Sequence, residues 1–200
     1  MPMRLAVAIS GRGTNFAALL AALPAGSPAE VALALSDRAA PGLELARQRG
    51  IPTLELADPA EGRAWLAALS AHQIDLVVLA GYLKLVPDAV IDRYRGSIIN
   101  IHPALLPAFG GPGMYGRRVH EAVLASGSTV SGATVHLVDE VYDRGAVLAQ
   151  ARVPVLTGDT PDTLAARVLD AEHRLLPAVV LAAAAAGRPV PLPEPVELPS

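Results

Sequence analysis

Segments of strand length alternate with segments of helical period through the first third of the chain, at residues 4–9, 15–23, 31–36, 41–49, 53–56 and 61–72. Such a βαβαβα pattern builds a parallel sheet, because each helix must carry the chain back before the next parallel strand can pair. Pro41 at a helix start and Gly50 just past its end fit the asymmetry of helix termini. Residues 75–80 form a nearly continuous aliphatic run, as expected of a central strand covered by helices on both faces. A short helix is expected over 87–94 and a strand over 97–101, stopped by Pro103 and Pro107, which lack a ladder donor.

The pattern then changes. A glycine-rich stretch over 108–116 reads as a mobile loop and precedes a helix over about 117–125. Strands over 129–138 and 146–155, joined by a turn at 139–145, predict an antiparallel pair. Pro161 opens a last helix reaching Ala186, bent or interrupted at Pro177, and the proline-rich tail at 188–200 reads as a surface strap. The fold class is α/β: a Rossmann-like, mostly parallel sheet with flanking helices and an antiparallel pair in the second half. No repeat or linker divides it, so residues 1–200 read as one domain.

Composition narrows the chemistry. The 200 residues hold no cysteine, which excludes disulfides, thiolate zinc sites, iron–sulfur clusters and a cysteine nucleophile. A formal net charge of −3 and the lack of a long basic run argue against nucleic acid. The longest apolar run, 175–187, contains Pro177 and falls short of the ~20 residues a membrane-spanning helix needs. The apolar residues 5–9 are too few for a signal-peptide core, so a cytoplasmic protein is expected, and a homodimer is left open.

Ser10-Gly11-Arg12-Gly13-Thr14-Asn15 follows the first strand and opens a helix, where backbone N–H groups and the helix dipole converge on an anion. Phe16 stands where the dinucleotide fingerprint needs its third glycine, so a monophosphate fits better than NAD, and Asp37 is discounted as a ribose-binding acid. Gly11 and Gly13 equally suit a plain tight turn, with Thr14 or Asn15 capping the helix.

In Asn100-Ile101-His102, strand alternation puts Asn100 and His102 on one face at a strand's carboxyl end, the edge that borders the ligand crevice in open α/β sheets. An asparagine amide can donate to a developing oxyanion, and a histidine can move a proton near neutral pH. Asp143, in the 139–145 turn, is the carboxylate candidate to orient that histidine, although spacing alone leaves it a solvent-exposed turn residue beside Arg144. His136, His72 and His120 read as structural, and no spacing among them makes a metal site.

The block from Ile9 to Asn15, the block Asn100-Ile101-His102-Pro103-Ala104-Leu105-Leu106-Pro107, Val135-His136 and Ala171-Glu172-His173 together resemble the phosphoribosylglycinamide formyltransferases, a branch of the folate-dependent formyltransferase family. The likeness spans roughly residues 4–188. It implies transfer of a formyl group from 10-formyltetrahydrofolate to the amine of 5-phosphoribosylglycinamide in purine synthesis, with no metal or nicotinamide. It further implies that Gly13, Thr14 and Asn15 hold the phosphate, Glu172 contacts the ribose and Pro103 borders the substrate. Leu83, Lys84, Leu85 and Val86 would line the pterin pocket, with Asp139, Glu140, Val141, Tyr142 and Asp143 as its other wall, Asn100 touching the folate and Arg63 reaching its acidic tail. Asn100, His102 and Asp143 would be catalytic.

Lys84 stands where the family often has arginine, Arg144 where it has a small residue, and the 108–116 loop is longer than the common one. The competing readings are a formyltetrahydrofolate hydrolase or a methionyl-tRNA formyltransferase, each expected to need an extra domain, and a noncatalytic nucleotide-binding module.

Overall fold

The computed structural model describes residues 1–193. Strands β1 (Met3–Ile9), β2 (Ala29–Ser36), β3 (Thr53–Glu55), β4 (Leu76–Leu79), β5 (Ile98–His102), β6 (Val130–Leu137) and β7 (Val147–Pro154) form one sheet in the order β3-β2-β1-β4-β5-β6-β7. Pairing is parallel from β3 through β5 and antiparallel at β5–β6 and β6–β7. The aliphatic run at 75–80 thus becomes β4, fully buried near the sheet's centre.

Helices α1 (Thr14–Ala22), α2 (Pro41–Gln48), α3 (Gly62–Ala71), α4 (Asp88–Arg93), α5 (Arg117–Ala125) and α6 (Pro161–Ala186) cover the two faces. Strand alternation sorts the core. Leu5, Val7 and Ile9 of β1 pack with Phe16 of α1 and with Leu175 and Val179 of α6, while Ala6 and Ala8 point to the side of Trp65, Leu69 and Ile91. Removing each such large side chain from water contributes on the order of 1.5–3 kcal/mol.

Helix α6 ties the layers together. Thr160 caps it through a reciprocal pair of contacts with Thr163, and Gly187, in the left-handed conformation at φ 70°, ends it. The helix runs unbroken through buried Pro177, so of the bend or interruption expected there the interruption is overturned: tertiary packing on β6 and β7 holds the turn that loses a backbone donor. Beyond it the Leu192 N–H donates to the Leu148 carbonyl at 2.8 Å, laying the described part of the tail against β7. Residues 194–200 of the expected strap lie outside the described residues. No helix among the described residues is long and apolar enough to cross a membrane.

Because β1 pairs with β2 on one side and β4 on the other, the chain reverses its winding there and leaves a crevice at the strands' carboxyl ends. Two contacts stitch that edge. Ser10 N–H donates to the Gly81 carbonyl at 3.1 Å, and Leu83 N–H donates to Ser10 Oγ at 2.9 Å.

Candidate active site

A cavity of about 530 Å³ opens over the carboxyl ends of β1, β4 and β5. That volume suits ligands of metabolite size. Asn100, His102 and Asp143 all line it, so residues from a strand and a distant turn meet although more than forty positions separate them.

Asp143 reaches the pair from a turn in which it adopts φ 55°, a left-handed conformation that aspartate tolerates better than most residues. Its Oδ2 lies 3.6 Å from His102 Nδ1 and its Oδ1 lies 3.5 Å from His136 Nε2, so two imidazoles flank one carboxylate. Burial pushes this carboxyl upward, but the flanking His136 and His102 rings and the Gly111 N–H together outweigh it and hold the group below the usual aspartate value. For His102 burial dominates in the other direction: it pushes the imidazole down, against Asp143 and the Phe109 carbonyl, which both favour the charged ring.

The glycine-rich loop is built into this site. Phe109, at φ 56°, turns its carbonyl onto His102 Nε2 at 2.9 Å, and Gly111 N–H donates to Asp143 Oδ2 at 2.8 Å. A carbonyl only accepts, so Nε2 carries the proton and Nδ1 is the nitrogen left beside Asp143. The loop can pack so closely because residue 110 is glycine: a Cβ there would stand 2.5 Å from Leu106 Cδ2 and 3.1 Å from Asp143 Cβ. Upstream, Thr134 Oγ1 donates to the Ala104 carbonyl at 2.6 Å and accepts the Leu106 N–H at 3.0 Å, pinning the chain that leaves β5.

His136 stands directly across the β5–β6 ladder from Asn100. Its Nδ1–H donates to the Leu137 carbonyl at 2.7 Å, which frees Nε2 to accept the Asn100 amide at 3.1 Å. That contact uses one of the two amide hydrogens and fixes the orientation of the group. Reading His136 as merely structural missed this role; the signal was its place at the same face of an adjacent strand.

At the cavity's other end, Asn15 Nδ2 donates to Glu172 Oε2 at 2.5 Å, joining the first helix to the last. Gly13, at φ 74°, makes the turn that opens α1, and its carbonyl accepts the Ala17 N–H at 2.8 Å. Thr14, Asn15 and Glu172 line the cavity, as do Pro103 and the exposed Arg12. Burial pushes the Glu172 carboxyl up to about 7 despite the Asn15 hydrogen bond, and Asn15 Oδ1 is buried without a partner.

Leu83, Lys84, Leu85 and Val86 line one wall after β4, with Leu83 and Leu85 largely exposed at the mouth. Asp139, Val141 and Tyr142 form the opposite wall. Three assigned residues lie outside the lining, the first being Gly13, buried in the turn before α1. Glu140 turns away to Arg95 Nη2 at 2.5 Å, and Arg63 sits 92% exposed on α3, 3.8 Å from Glu61, outside the cavity lining. Arg144 is exposed and also outside that lining, so it leaves the cavity wall itself unaltered. No group of three or more metal-ligating side chains is present among the described residues.

Residues 3–180 match the profile of the family described as formyl transferase. A chloroplastic phosphoribosylglycinamide formyltransferase of Vigna unguiculata is 46% identical over 185 residues, 88% of this chain and 59% of the relative. The chain thus spans about three-fifths of that plant protein. The phosphoribosylglycinamide formyltransferase of Mycobacterium tuberculosis strain H37Rv is 44% identical over 192 residues, covering 93% of this chain and 87% of the relative. A crystal structure of the Brucella melitensis enzyme of the same name superposes with a TM-score of 0.84 at 46% identity, over 92% of this chain and 97% of that one. With a family match across most of its length and relatives that agree in sequence and in fold, the chain belongs to the formyl transferase family.

Proposed function

We propose that this protein transfers the formyl group of 10-formyltetrahydrofolate to the amine of 5-phosphoribosylglycinamide, a step of purine biosynthesis. The observation that carries the reading is the convergence of Asn100, His102 and Asp143 on one wall of a cavity whose far end holds the Asn15–Glu172 pair. The names of the relatives agree with it. The apolar wall of Leu83, Leu85 and Val86 suits a pterin ring, and the N-terminus of α1 after Gly13 suits a phosphate, with Glu172 toward the ribose hydroxyls.

In this reaction the substrate amine forms a C–N bond to the formyl carbon, and the carbonyl electron pair moves onto oxygen. The second amide hydrogen of Asn100, not used by His136, donates to that oxyanion. His102 is neutral in the resting site, so its Nδ1 can take the proton that the attacking nitrogen must lose. The imidazolium formed is stabilised on one side by Asp143 and on the other by the Phe109 carbonyl. The bond from carbon to N10 of the folate then breaks, and the proton passes, directly or through water beside Asp143, to N10.

The test is folate-product formation from 10-formyltetrahydrofolate with and without the ribonucleotide, with His102→Ala as the contamination control. Turnover that requires the ribonucleotide and vanishes in the variant supports transfer. Turnover without ribonucleotide assigns a hydrolase instead, and phosphate-ligand binding with no turnover assigns a binding module.

A further inference from the structure

One buried titratable ring in the cavity has no part in the chemistry above. His120, on α5, is 4% exposed and lines the cavity, yet among the described residues neither of its ring nitrogens has a hydrogen-bond partner, and Nδ1 is closed off from solvent. Nε2, which is not sealed away, is the ring nitrogen that a ligand in the cavity can reach.

The protonation state follows from the surroundings. Burial, and then the neighbouring His102 ring, push His120 below the ordinary histidine value, so the ring is neutral with one N–H donor. A buried N–H without an acceptor is the rarer orphan, which leaves the proton on Nε2, the nitrogen not sealed away. His120 therefore offers the cavity a donor.

Its place decides what that donor meets. On one side His102, at the end of β5, lines the same cavity. On the other, α5 packs against α6, whose Asp162, Ala165, Leu169 and Glu172 recur at helical spacing and line the same cavity. The donor thus shares one cavity with the group beside the reacting centre and with the carboxyl assigned to the ribose end. In the acyl acceptor, the atoms between the reacting amine and the ribose are a methylene and a carboxamide.

We infer that His120 selects the acyl acceptor by donating Nε2–H to the carboxamide oxygen that separates its amine from its ribose. This rests on the formyl-transfer reading. It makes His120 a specificity-determining residue that acts in binding, not in proton transfer.

The experiment pairs two enzymes with two acceptors. Wild type and His120→Ala are assayed with 5-phosphoribosylglycinamide and with an analogue in which the carboxamide C=O is replaced by CH2. The analogue should lower wild-type kcat/KM about 10- to 100-fold, and His120→Ala should lower it similarly for the natural acceptor through KM, with the KM for folate unchanged. In the variant the analogue should then carry little further penalty. An equal analogue penalty in both enzymes, or an unchanged acceptor KM in His120→Ala, overturns the assignment. Should the variant unfold early, His120→Asn, which keeps a donor, and the wild-type analogue penalty alone still decide it: an analogue as good as the natural acceptor overturns it. Absence of ribonucleotide-dependent turnover in wild type instead overturns the formyl-transfer reading, and this one with it.

Discussion

The Phe109 carbonyl accepts the Nε2–H of His102 at 2.9 Å, so the ring presents Nδ1, not Nε2, toward Asp143 and the cavity. A main-chain atom on a glycine-rich loop thereby selects the tautomer of the central histidine, and the next two residues of the loop extend the same control to the carboxylate.

Loosening that loop should slow the chemistry without weakening the acceptor. Gly110→Ala sets its Cβ against Leu106 Cδ2 and Asp143 Cβ, so the Leu106 side chain, Asp143 and the loop that carries the Phe109 and Gly111 contacts share the displacement. The expected result is a fall in kcat on the order of 100-fold with the ribonucleotide KM within a few-fold, measured by steady-state kinetics. A matched rise in KM with kcat unchanged refutes the positioning role.

The pH profile should report His102. Because burial holds the ring below 6.5, it is neutral at neutral pH, and kcat/KM should fall on the acid side through a value below 6.5. Asp143 favours the charged ring, so Asp143→Asn should move this acid limb still lower while reducing kcat. A limb moved upward contradicts the pairing.

Glu172 should trade stability for affinity. Its folded carboxyl is raised to about 7, above the ordinary value, so its contribution to stability is full at low pH and is lost as pH rises through 7. At pH 8 Glu172→Gln should raise stability by about 3 kcal/mol at most, read as a higher denaturant midpoint, because the buried charge is gone. The same variant should bind the ribonucleotide more weakly at pH 8, and its acceptor KM should lose the wild-type fall with rising pH.

Thr134→Val is expected to act from beneath the site. It strips the Ala104 carbonyl and the Leu106 N–H of their buried partner, at a cost of about 2–4 kcal/mol in chemical denaturation. A variant as stable as wild type shows that water or rotation replaces the hydroxyl.

The sheet was readable because its pattern is local: a buried aliphatic run for β4, alternation for β5 and β6, a proline to open α6. The same alternation was enough to put Asn100 and His102 on one face. It did not reveal His136 as the partner of Asn100, since that depends on the register between β5 and β6, nor the approach of Asp143, which depends on one residue at φ 55°. Arg63 and Glu140 were tied to the ligand by resemblance alone. Their directions are set by a helix's rotation and by a competing cation, Arg95, neither of which is written in local spacing.

The hydrogen bond from Asn15 to Glu172 spans 157 positions of chain. A ribosome making this protein therefore completes the Gly13 turn long before it supplies the carboxyl that Asn15 meets. The nascent polypeptide cannot close this part of the cavity until α6 has emerged and docked, so the wall lined by Asn15 and Glu172 is completed late in folding.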